Sequence, residues 1–344
     1  MTKSILVLKL GSASITTPKG EIDEAIIADI TRQVSELSKA YHLILVSSGA
    51  VAAGKKYIKN YKGKMSERKA AAAIGNPLLL GMYSRYFEPY QISIAQSLCE
   101  RQHFSSRRQF LQLKETYEEL WKNGVIPIAN ENDVVSNLEL KFSDNDELAT
   151  LLGVGFGASL ILLGTSVPGV LDKEGQVIPK IDSINNDVFS LANKNTSEVG
   201  LGGMTSKLTF AHLASSMGIQ VVIFGVRTPD GILKAVAGET GTACTPKEGS
   251  ISSRNKWLAS GSLVTGRLMA DAGAVEAIRK RKSLLAVGVQ SIIAAFADGE
   301  IFELIDEAGN IVAVARAKVS SQALIKDSKQ HNLEIANASD IVIL

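Results

Sequence analysis

Short apolar runs recur through the first two thirds of the chain, at residues 5–8, 43–46, 92–98, 125–129, 160–163 and 220–224, with helical patterns between them. The clearest of these patterns covers residues 21–40, where Ile22, Ile26, Ile30, Val34 and Leu37 mark one face at helical spacing. Continuous apolar strands alternating with amphipathic helices predict an α/β fold: a mainly parallel sheet sandwiched by helices. Open sheets of this kind bind ligands beyond the carboxyl ends of their strands. The residues that follow each run are therefore the first to search for chemistry.

Two segments, one of them at such a strand end, are rich in Asn and Asp. Asn130-Glu131-Asn132-Asp133 follows the run at 125–129, and Phe142-Ser143-Asp144-Asn145-Asp146 precedes an apolar, Gly-rich stretch at 148–163, at a loop or helix start. Side chains of this kind at a strand end can grip an amino acid, although either run alone has the composition of a turn. Lys9-Leu10-Gly11-Ser12 puts a cation beside a small-residue turn, and Ser47-Ser48-Gly49-Ala50 again suits close backbone approach. Gly200-Leu201-Gly202-Gly203-Met204-Thr205-Ser206-Lys207 opens a predicted helix running to residue 217, so free N–H groups and the helix dipole would face an anion there. The spacing is not that of a Walker A loop, and no Gly-x-Gly-x-x-Gly follows the first strand.

In this order and spacing the motifs make the chain resemble the amino acid kinase family, almost end to end. The resemblance is carried by Lys-Leu-Gly-Ser from Lys9, Ser-Ser-Gly-Ala-Val-Ala-Ala-Gly from Ser47, Ala95-Gln96, Pro-Ile-Ala-Asn-Glu-Asn-Asp from Pro127, the Asp-Asn-Asp core, and Gly-Gly-Met-Thr-Ser-Lys from Gly202. The pairing of Asn-Glu-Asn-Asp with Asp-Asn-Asp resembles the branch that phosphorylates the side-chain carboxylate of L-glutamate, the first step of proline biosynthesis. Aspartate or acetylglutamate as acceptor, and a regulatory RNA-binding protein on the same fold, are the alternatives. The resemblance implies ATP and Mg²⁺ as cofactors, with no metal held by protein ligands alone. It implies catalytic roles for Lys9, Lys207 and Asp146, with Asp146 holding the two lysines in place. An N-cap is the competing role for Asp146, and Asp144 could equally fill it.

Ser48, Asp133 and Asn145 match the glutamate-binding positions, where Asp133 would accept from the ammonium group and Ser48 and Asn145 would donate to carboxylates. Lys9, Gly11, Thr165, Ser166, Leu201, Gly202, Gly203, Met204, Thr205, Ser206 and Lys207 match the ATP-binding positions. The chain departs from the family pattern at Ser143, where Gly is usual, at Ser166, where an Asp is usual, and at Leu201, where a Thr is usual. The loss of a carboxylate at 166 removes a charge-assisted acceptor from the nucleotide site. Further partners implied by the resemblance are proline as feedback inhibitor, a second copy of the chain in a dimer or tetramer, and handover to glutamate-5-semialdehyde dehydrogenase.

The chemistry fits what the chain lacks. A glutamate side chain has a pKa of about 4.3, so the acceptor is already a nucleophilic carboxylate and no general base is needed. The task is to bring one anion up to another, which positioning and positive charge accomplish. His42, His103, His212 and His331 are scattered, and Cys99 and Cys244 lack metal-ligand spacing and read as reduced thiols. With 37 Lys and Arg against 35 Asp and Glu, the net charge of +2 gives no general pull toward nucleic acid or membrane. No apolar run approaches the ~20 residues of a membrane span, and the amino terminus lacks a signal-peptide pattern, which predicts a cytoplasmic protein.

From Gly225 the character changes. Thr228-Pro229-Asp230-Gly231 is a turn, and Gly238 to Gly249 carries Gly, Thr and Pro without periodicity, as a linker does. Two domains are expected, at 1–241 and 250–344. Apolar runs at 286–296, 300–305 and 311–317, separated by Asp298-Gly299 and Ala308-Gly309-Asn310, predict a small β-rich module. Arg254-Asn255-Lys256-Trp257-Leu258, Asp271-Ala272-Gly273-Ala274 and Ser283-Leu284-Leu285 make it resemble a PUA domain, for which RNA contact is implied; the basic run Arg279-Lys280-Arg281-Lys282 reads equally as a solvated helix end.

Overall fold

The computed structural model describes residues 3–100, 103–104, 107–134, 145–184, 188, 191, 203–246, 264–298, 301–326, 333–338 and 341–343. The chain divides into two compact units, Met1–Glu248 and Gly249–Leu344.

In the first unit the apolar runs become strands β1 (Ser4–Leu10), β2 (Tyr41–Ser47), β3 (Ile94–Cys99), β4 (Ile126–Glu131), β5 (Leu160–Thr165), β6 (Lys180–Ile181), β7 (Gln220–Gly225) and β8 (Thr242–Cys244). They form one sheet in the order β3-β4-β2-β1-β5-β7-β8-β6. The six long strands are parallel to their neighbours, and β8 runs antiparallel to β7. In β1, Leu6, Val7, Leu8 and Leu10 are all fully buried, as a strand covered on both faces must be.

The cover comes from amphipathic helices. Helices α1 (Ser12–Ile15) and α2 (Glu24–Leu37) follow β1. The periodic pattern at 21–40 is trimmed at both ends, because Ile22 bridges Thr16 and Asp23 caps α2 by accepting from the Ile26 N–H, while Tyr41 already pairs in β2. Helices α3 (Ala50–Gly54) and α4 (Met65–Phe87) pack backbone to backbone. A Cβ on Gly75 would lie 1.7 Å from the Ala50 carbonyl oxygen, and one on Gly54 1.9 Å from that of Ala71. Only glycine permits that approach. Helix α5 (Arg107–Lys122) precedes β4, and α6 (Asn145–Phe156) precedes β5. Helix α6 is buried on nearly every side, which is why its sequence reads as an unbroken apolar stretch. Helix α7 (Met204–Ser216) leads into β7, and α8 (Gly231–Ala237) into β8.

Strand β8 corrects the expected boundary at 241. It begins one residue later, pairs with β7, and buries Thr242, whose Oγ1 accepts from the Val170 N–H at 2.8 Å. Part of what reads as linker is therefore sheet.

The second unit is built on β9 (Val264–Ala270), β10 (Leu284–Leu285), β11 (Val289–Ala294), β12 (Ile301–Ile305), β13 (Ile311–Arg316), β14 (Glu334–Ala336) and β15 (Ile341–Ile343). Five of them form a sheet in the order β11-β9-β12-β13-β15, with β9 parallel to β12. Helices α9 (Ala272–Arg279) and α10 (Ser321–Lys326) complete it around Leu268, Ile278, Phe302, Leu304 and Ile335. Strands β11, β12 and β13 lie within the three predicted runs. Strand β9 has no counterpart among them, because its Thr265, Gly266 and Arg267 interrupt the apolar pattern. In the basic run, Lys280 pairs with Glu276 at 2.6 Å at the end of α9.

Candidate active site

The chain leaves β1 toward β2 and leaves β5 toward β7, on opposite sides of that adjacent pair. Diverging connections open a crevice at the carboxyl ends of β1 and β5, the switch point at which sheets of this class take ligands. Lys9 lies next to the end of β1, opposite Val46 and Leu163. Thr165 ends β5, and Ser166 follows it, exposed.

Asp146 joins two of the predicted residues there. It stands in the first turn of α6, inside the helix and not at its cap, where a carboxylate also meets the positive end of the dipole. Its Oδ1 lies 2.6 Å from Lys9 Nζ and its Oδ2 3.0 Å from Lys207 Nζ. Lys9 is 4% exposed, Lys207 5% and Asp146 0%. Burial pushes the Asp146 carboxyl up, but the Lys9 and Lys207 ammonium groups outweigh it and hold the carboxyl below its usual range. The trio carries two positive charges against one negative, and so favours an anion beside it.

Lys207 comes from the first turn of α7, behind Gly203, which caps that helix in extended conformation. Among the described residues, a Cβ on Gly203 would meet nothing within 4 Å, and one on Gly11 would make only ordinary contacts, the nearest with Ser14 Oγ at 3.5 Å. Neither glycine is demanded by the packing of the described residues, which leave space beside Lys9 and at the helix N-terminus. Met204, Thr205 and Ser206 occupy the same first turn. Ser143, Asp144, Leu201 and Gly202 lie outside the described residues.

A second cluster surrounds Ser48. Gly49, at φ +112°, takes the left-handed turn that ends β2 and starts α3, while the Ser48 N–H donates to the Leu10 carbonyl at 3.0 Å. The Asn145 amide donates both its hydrogens, one to Ser48 Oγ at 2.8 Å and one to Asn130 Oδ1 at 2.9 Å. This corrects one expected role: Asn145 has no hydrogen left for a substrate carboxylate. Asn130 closes β4 with Glu131, and its Nδ2 donates to Asn76 Oδ1 at 3.1 Å. Beneath them Ser47 donates to the Ser48 carbonyl at 3.0 Å, so its 2.9 Å bond to Tyr83 must be donated by the tyrosine. Asp133 is half-buried in the turn after β4.

Asn76 and Tyr83 were not among the predicted residues. Their one signal is polarity on the inward face of an Ala- and Leu-rich helix, at Asn76-Pro77 and Tyr83 of α4. Among the described residues no group of three or more His, Cys, Asp or Glu side chains could hold a metal ion.

The amino acid kinase family model matches residues 4–225, and the chain belongs to that family. A PUA domain model matches residues 266–337. Curated relatives named glutamate 5-kinase are similar along nearly the whole chain. Those of Dehalococcoides mccartyi and Gloeobacter violaceus are each 36% identical over 96% of this chain, covering 92% and 93% of the relative. That of Vibrio vulnificus is 33% identical over 96% of this chain and 90% of its own length. The carbamate kinase of Giardia lamblia, solved bound to AMP-PNP, shares the fold, with a TM-score of 0.51 at 16% identity over 71% of this chain and 99% of that one.

Proposed function

We propose that the chain transfers the γ-phosphoryl group of ATP to the side-chain carboxylate of L-glutamate, giving γ-glutamyl phosphate, the first step of proline biosynthesis. The observation that carries the reading is the buried Lys9–Asp146–Lys207 trio at the switch point of the sheet, next to a separate polar cluster at Ser48 and Asn145. A phosphate site and an amino acid site thus share one crevice, and the named relatives supply the acceptor.

Lys9 and Lys207 stabilise the transferring phosphoryl group, whose charge is spread over its oxygens in the transition state. Asp146 fixes their ammonium groups 2.6 and 3.0 Å from its own oxygens, so no reorganisation is needed when charge develops. The first turn of α7 offers N–H groups to the nucleotide phosphates, and Thr165 and Ser166 flank the nucleotide at the end of β5. Mg²⁺ brought in with the nucleotide would offset the negative charge of the phosphates, and would need few ligands from the protein. Ser48 and Asp133 hold the glutamate. No side chain is required as base, because the acceptor is already ionised.

Proline competes with glutamate in this reading, since the two share the groups around the α-carbon. A homo-oligomer and handover of the labile acyl phosphate to a dehydrogenase complete it. The test is an assay with ATP, Mg²⁺ and a panel of glutamate, aspartate and acetylglutamate, trapping acyl phosphate with hydroxylamine. Hydroxamate is expected with glutamate. None above background from folded protein, or preference for another acceptor, refutes the reading.

A further inference from the structure

Asn145 is an amide whose two ends are distinguished by its neighbours. The Glu131 backbone N–H can only donate, so the Asn130 atom 2.9 Å from it is the carbonyl Oδ1. That leaves Asn130 Nδ2 to face Asn76, which accepts through Oδ1. Because Asn130 Oδ1 is an acceptor, the Asn145 atom beside it must be Nδ2, and the second hydrogen of that group goes to Ser48. Asn145 Oδ1 is thereby turned the other way. It is buried, with no hydrogen-bond donor among the described residues. A buried acceptor without a partner is costly, and the ammonium group of a bound substrate is a donor that would satisfy it.

We propose that Asn76 is a positioning residue: through Asn130 it holds Asn145 with its carbonyl oxygen toward the α-ammonium group of the acceptor amino acid. Ser48, which accepts from Asn145, keeps its own proton to donate to the neighbouring carboxylate. One fixed chain of amides thus presents an acceptor and a donor side by side, matching the two charged groups on an α-carbon. The inference rests on the amino acid kinase reading above and assigns the ammonium contact within it.

The experiment compares Asn76→Leu, which removes the acceptor, with Asn76→Asp, which keeps it. In Asn76→Leu the glutamate KM is expected to rise about tenfold, the scale of one hydrogen bond that orients a charged contact. The KM for ATP stays unchanged. The Ki of glutarate, which lacks the ammonium group, moves less than about twofold, because its contacts do not involve Asn145 Oδ1. Asn76→Asp restores the glutamate KM. A folded Asn76→Leu protein with wild-type KM, or one that loses glutamate and glutarate binding equally, overturns the proposal.

The side-chain amide resonances of Asn145 and Asn130 provide a reading independent of substrate. They should show slow hydrogen exchange in the wild type and in Asn76→Asp, and fast exchange in Asn76→Leu; equal exchange in all three overturns the relay. A wild type that makes no hydroxamate refutes the substrate reading, and with it the ammonium contact, while the exchange rates still decide the relay.

Discussion

Asp146 is the residue on which the crevice depends, since removing its charge takes a shared carboxylate from two buried ammonium groups. Breaking a buried pair from one side costs about 3–5 kcal/mol, so Asp146→Asn should be strongly destabilised at neutral pH. The sign of the pH dependence follows from the lowered carboxyl. Its contribution is complete above the ordinary value of 3.8 and is lost as pH falls through the lower value in the folded protein. Denaturant unfolding of both proteins from pH 7 downward should show their difference shrinking only below 3.8. A gap that closes well above that pH would mean the carboxylate is not held by its two lysines. For the lysines themselves, Lys9→Met and Lys207→Met are expected to lower kcat far more than they raise KM, because their charge counts most in the transition state. Initial-rate kinetics separate the two, and a pure KM effect would assign them to ground-state nucleotide binding.

At the scale of elements, the α3–α4 contact sets the wall of the crevice. Gly54 and Gly75 bring the two helix backbones together at the level of Asn76, whose side chain reaches Asn130. A Cβ at either glycine meets a backbone carbonyl closer than 2.0 Å, so the helices must separate and cannot merely repack a side chain. Gly75→Ala should therefore cost about 1–3 kcal/mol or more, and should also raise the glutamate KM by displacing Asn76. Thermal unfolding and kinetics on the same sample check both effects. An unchanged melting temperature would show that the contact is slack. Gly81→Ala, in the same helix, is the control, because among the described residues a Cβ there meets nothing within 4 Å.

For the whole molecule, the catalytic and substrate residues proposed here all lie between Lys9 and Lys207, within the first compact unit. A chain ending at residue 248 is expected to fold and to keep kinase activity. One ending at 241 lacks β8, exposes the edge of β7 and leaves the Val170 N–H without Thr242. It should aggregate or melt at lower temperature. Gel filtration and circular dichroism distinguish the two products. A folded, inactive 1–248 protein would show that the PUA domain supports catalysis directly.

Alternating apolar runs were enough to give the parallel sheet and its flanking helices, because a strand buried on both faces must be apolar along its length. The order of motifs, through the family resemblance it carries, makes Lys9, Asp146 and Lys207 candidates, and the fold brings the three side chains together. What the sequence left open depended on contacts between distant segments. Strand β8 is short and borders a Gly-rich stretch, so only its pairing with β7 marks it as sheet. Asn76 is one polar residue in a helix, and nothing local distinguishes a satisfied core amide from a working one. The polarity of Asn145 is a tertiary property in the strictest sense: an amide side chain has no preferred end until a backbone N–H 14 residues away, acting through Asn130, decides which atom faces the crevice.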